Sequence, residues 1–94
     1  MGKLFDQIKR LIAEEKYLIG EHASERLEER GIMEWQAVVG IEAGICLAEN
    51  PTREPNPTIE VEESMPDGTG FKAVWAYLKS GDVAKLVTVH FFDE

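Results

Sequence analysis

Apolar positions recur every three or four residues in the first half of the chain and every second residue near its end. Helices followed by strands are therefore expected. Leu4, Ile8, Leu11, Ile12 and Ile19 fall at helical spacing, with Lys9, Arg10, Glu14 and Glu15 between them. The spacing predicts a first helix over about 3–17, broken at Gly20. A second helix is expected over about 21–30, stopping at Gly31, a residue suited to the left-handed C-terminal cap. A third, about 33–43, carries Trp35, Val38 and Val39 on one face and ends at Gly44.

The texture then changes. "ICLAEN" (45–50) reads as a short strand, and "PTREPNP" (51–57) holds three prolines and reads as loop. "TIEVEE" (58–63) alternates, Ile59 and Val61 opposing Glu60 and Glu62. Its glutamates suit a sheet edge blunted by charge. "MPDGTG" (65–70) is turn chemistry, and "FKAVWAYLK" (71–79) and "AKLVTVHFF" (84–92) are strands rich in β-branched and aromatic residues. "SGD" (80–82) is short enough for a hairpin. The order α-α-α-β-β-β-β implies an α+β fold, N-terminal helices packed on a four-stranded antiparallel sheet, with residues 1–94 making one domain.

Charge narrows the function classes. Eighteen acidic residues against ten basic ones give a net charge of -8. Such a chain is repelled by nucleic acid and by anionic membrane, so no free DNA binding is expected, and RNA handling would need a local basic pocket or a partner's charge. No stretch approaches the ~20 apolar residues of a membrane span, and none reads as a signal peptide. With the single Cys46, which allows no internal disulfide, this makes a cytoplasmic location the expectation. Cys46, between Ile45 and Leu47, reads as a small buried hydrophobe. His22 and His90 are the only histidines, too few soft ligands for zinc, and no phosphate loop or nucleophile motif occurs, so neither metal nor cofactor is expected.

The chemistry worth testing lies in "EHASERLEERGI" (21–32), which spaces His22, Arg26 and Arg30 four residues apart along one side of a helix. A neutral imidazole can act as a general base, and two guanidinium groups can hold a phosphate, as metal-free RNA cleavage requires. The same residues also make an ordinary solvated face if Glu29 pairs with Arg26 and Glu25 with His22 or Arg26. In the last strand Leu86, Thr88, His90 and Phe92 share one face and Val87, Val89 and Phe91 the other. Thr88 and His90 emerge on the open face if the all-apolar set meets the helices. Phe71, Trp75 and Tyr77 share a face of their strand, where they could stack bases if open or pack if buried.

The run His22-Ala23-x-x-Arg26-x-x-x-Arg30-Gly31-Ile32, with a short helix ending near Gly44 and the strand "LVTV", resembles a family of small bacterial domains of unknown function. That family is similar to the RelE-like toxins and the wider barnase-like ribonuclease group. The resemblance spans about residues 18–90. It implies a RelE-like fold, a metal-independent endoribonuclease ancestry, and His22, Arg26, Arg30 and Thr88 as the polar positions. His90 joins them as a second candidate from the strand pattern. Partners would be an RNA substrate or a cognate antitoxin-like protein. The chain departs from the pattern where Gly20-Glu21 and Met33 stand in place of helix caps, and in its acidity. The competing class is a non-catalytic protein-interaction module on the same scaffold.

Overall fold

Glu15 takes a left-handed backbone conformation (φ 63°), and that turn decides the entry into the fold. In the computed structural model, which describes residues 2–92, helix α1 spans Lys3–Ala13 and ends there rather than at residue 17. Lys16 N–H donates to the Leu11 carbonyl (2.8 Å) and Glu15 N–H to that of Ile12 (3.0 Å), the paired bonds of a Schellman cap. The chain then reverses into strand β1, Tyr17–Ile19, which pairs parallel to the last strand. Ile19 thus belongs to a strand and not to the apolar stripe of α1. That stripe is Leu4, Phe5, Ile8, Leu11 and Ile12, all buried.

Helix α2 (Glu21–Arg30) has the expected bounds, closed by Gly31 at φ 69°. Helix α3 (Glu34–Gly40) is shorter than expected, and its last turn, Ile41–Ala43, tightens to a 3-10 helix. Neither Gly20 nor Met33 supplies a side-chain cap oxygen; at Met33 the backbone N–H donates instead to Gln36 Oε1 (2.8 Å). Strands β2 (Ile45–Asn50), β3 (Thr58–Ser64), β4 (Gly70–Leu78) and β5 (Val83–Phe91) follow.

The sheet is five-stranded and mixed, ordered β1-β5-β4-β3-β2, where four antiparallel strands were expected. The extra strand was missed because three residues carry no readable period. "TIEVEE" is not an edge: β3 lies between β2 and β4, and its Glu60 meets Lys72 of β4 across the ladder (3.1 Å). The edges are β1 and β2.

All three helices contribute to one core on a single face of the sheet. Ile8, Leu11, Ala23, Leu27, Ala37 and Ile41 pack with Ile59, Val61, Phe71, Trp75, Leu86 and Val89. Phe71 and Trp75 are fully buried, so neither can stack a base. In β5 the expected alternation is broken, since Thr88 pairs with Val74 but Leu86 with Trp75, which leaves Val87 as a bulge. Parity resets there, and Leu86 joins Val89 on the core side instead of sharing a face with Thr88.

Candidate functional site

Ala23 and Leu27 turn inward and fix α2 on the sheet, so the remaining side chains divide into two flanks. His22, Arg26 and Arg30 line one of them. Arg26 Nε donates to His22 Nε2 at 3.5 Å, at the exposed surface of the helix. Glu29 gathers both guanidinium groups: Arg30 Nη1 lies 3.0 Å and Arg26 Nη1 3.7 Å from its Oε1. Glu25, expected to pair with His22 or Arg26, makes no ion pair among the described residues. The row is assembled, but one carboxylate occupies the place a phosphate would take.

Thr88 and His90 lie elsewhere. They stand in register with Val74 and Lys72, on the sheet face away from the helices. The helix row and the strand pair are therefore separated by the thickness of the sheet, and no single cleft holds all five candidates. Beside His90, the Lys72 ammonium holds the Glu60 carboxyl below its usual range, chiefly by hydrogen bonding.

Cys46 is half-buried, its thiol directed to the Ala48 carbonyl (3.6 Å). Burial first, then the charge of Glu49, pushes the thiol upward, which disfavours the thiolate. Among the described residues no three His, Cys, Asp or Glu side chains gather to hold a metal ion.

Glu63 is the residue that the sequence reading passed over. It is 1% exposed on the core face of β3, and burial pushes its carboxyl up to about 8. Neither carboxyl oxygen has a hydrogen-bond partner; the Trp75 indole N–H alongside offsets burial in part but falls short of a bond. The group sits directly beneath α3, where a Cβ on Gly40 would lie 2.8 Å from Glu63 Oε1. A signal existed: Ile59 and Val61 point inward, and the two-residue period carries Glu63 inward with them.

The other flank of α2 faces α3 across an open groove of about 680 Å³. Leu27, Ile32, Met33 and Trp35 give it apolar walls. Trp35 also borders a second depression with Val39, Gly40 and Met65, so its indole stands as a ridge between two hollows. The periodicity places Trp35, Val38 and Val39 near one another, but the structure buries Ala37 and Ile41 and leaves Trp35 and Val39 outside.

No family model matches this chain, and neither a curated protein nor a solved structure matches it.

Proposed function

We propose that this chain is a protein-interaction module on a RelE-like α+β scaffold, with its contact surface on the outer side of α2 and α3. The observation that carries this reading is the group Met33, Trp35 and Val39, exposed to 59%, 58% and 63%. Large apolar side chains gathered on one short element are what protein interfaces use, and an exposed tryptophan is a frequent anchor. The RelE-like description rests on N-terminal helices set against hairpin-connected antiparallel strands.

A second reading, metal-independent RNA cleavage, is favoured by one observation, the His22 imidazole beside the Arg26 guanidinium, which shares Glu29 with Arg30. There His22 would take the 2′-hydroxyl proton while the 2′-oxygen bonds phosphorus and the bond to the 5′-oxygen breaks. The phosphate would have to displace Glu29 from Arg26 and Arg30. Thr88 and His90, on the far face, could not protonate the leaving oxygen, and that step would fall to solvent.

One experiment addresses both. A photo-reactive residue is placed at Trp35, or as a control at exposed Arg53, and the cells expressing each variant are irradiated and their RNA examined. A discrete protein adduct at position 35 alone, with intact RNA, supports the module. Cleaved RNA that becomes intact in His22→Ala, without an adduct, overturns it in favour of the nuclease.

A further inference from the structure

We infer that the α2–α3 groove takes a basic, amphipathic helical segment of a partner protein, an inference that rests on the module reading and adds the partner's chemistry. The walls supply the first half of the recognition. Met33 and Trp35 stand exposed over a floor completed by the buried Leu27 and Ile32, an apolar surface that a helix could meet with residues at i and i+3 or i+4. Met33 and Trp35 are more than half exposed, so covering them removes substantial apolar area from water.

The rim supplies the second half. Glu21, Glu25 and Glu28 of α2 and Glu34 at the start of α3 border the groove, and none of them makes an ion pair among the described residues. The cations of α2 lie on the opposite flank, where Glu29 holds Arg26 and Arg30. Four carboxylates without an ion pair among the described residues, set around exposed apolar surface, call for lysine or arginine on the flanks of the incoming segment. RNA and anionic membrane are repelled by the same rim. A second copy of this chain, at net charge -8, is also disfavoured.

The groove's construction selects a helix over a strand. It lies between two helices and presents no sheet edge, so an extended segment would leave its backbone N–H and C=O groups unmatched, whereas a helix satisfies its own. Helix α2 has 10 residues, so the groove beside it runs about 15 Å, room for roughly three turns of a partner helix. Trp35, at one end, is the anchor.

The test uses the full chain and a fluorescently labelled synthetic peptide of lysine and leucine at helical spacing, about 14 residues long or roughly four turns. Controls are a scrambled peptide of the same composition and a version with glutamate in place of lysine. Fluorescence anisotropy should show saturable binding of the basic amphipathic peptide alone, weakened ~10-fold or more as salt rises into a regime where the Debye length falls to about 3 Å. The double change Glu25→Lys and Glu28→Lys should weaken binding ~10-fold or more, since each rim charge is reversed. Arg26→Ala should leave it within about two-fold, and Trp35→Ala should abolish most of it. These positions are on the surface, and circular dichroism checks that each variant folds. Equal binding of the glutamate peptide, or no effect of the rim reversal, overturns the inference. If the basic peptide fails while position 35 still forms its adduct in cells, the partner chemistry is wrong and the module reading stands. If both fail, both fall.

Discussion

The two flanks of α2 carry opposite charge on one ten-residue helix, yet only one of them holds ion pairs among the described residues. On the basic flank, Glu29 ties Arg26 and Arg30 and Arg26 reaches His22, so the charges answer one another. On the acidic flank, Glu21, Glu25 and Glu28 have no such partners among the described residues and look across the groove to Glu34 and Trp35. Charges satisfied within a helix stabilise it by tenths of a kcal/mol and leave little to offer a ligand. Charges without such pairs beside exposed apolar surface are what the proposed partner helix would read.

The largest effect should come from removing what both flanks share. Leu27, 2% exposed, anchors the helix to the core, and Leu27→Ala should cost about 2–5 kcal/mol in urea denaturation, disabling both flanks together. The next contrast sets the surface carboxylates against the buried one. Glu63 in the folded chain titrates at about 8, above its ordinary value of 4.5. Below the lower value both states are protonated and its full contribution is present. Between the two the unfolded chain has released the proton and the folded chain has not, so stability falls by about 1.4 kcal/mol per pH unit, levelling off above the higher value. Denaturation at a series of pH values should show this fall in the wild type and its loss in Glu63→Gln, whereas Glu28→Gln should leave it in place.

Smaller effects separate the flanks themselves. Glu29→Ala should cost no more than about 1 kcal/mol, because its pairs are solvent-exposed, and it should leave cellular RNA intact if the basic flank is only a solvated face. RNA cleavage appearing in that variant would instead revive the nuclease. Trp35→Ala should change stability least, within about 0.5 kcal/mol, although it removes the proposed anchor. A large loss of stability there would mean that the indole is structural.

How far each feature could be read from the chain follows from how local its cause is. Helix α2 was legible at both ends because Gly31 marks its stop with a residue that adopts positive φ without strain. The end of α1 was not, because Glu15 does the same job without being glycine, and strand β1 is too short to show a period. The prolines and glutamates suggested an edge at β3, but strand order is a long-range property, and pairing with Ile45–Asn50 put β3 inside. The bulge at Val87 likewise has no local marker, and it reversed the face on which Leu86 was expected.

Of the candidate site, the spacing of His22, Arg26 and Arg30 was legible, and the structure does place them along one flank. Their separation from Thr88 and His90 was not, since it depends on which sheet face the helices cover. The groove was hidden for a similar reason: Leu27 and Trp35 line it together only because of where the turn through residues 31–33 places the start of α3 beside α2. Glu63 could have been found by extending the parity of Ile59 and Val61 by one more step.

The most direct measurement is the change in backbone amide chemical shifts when the basic amphipathic peptide is added to the isotope-labelled chain. Binding in the groove predicts shifts concentrated at Ser24, Glu28, Met33 and Trp35, with Arg26, Thr88 and His90 little changed. Shifts centred on His22, Arg26 and Arg30, or spread evenly over the acidic surface, would contradict it.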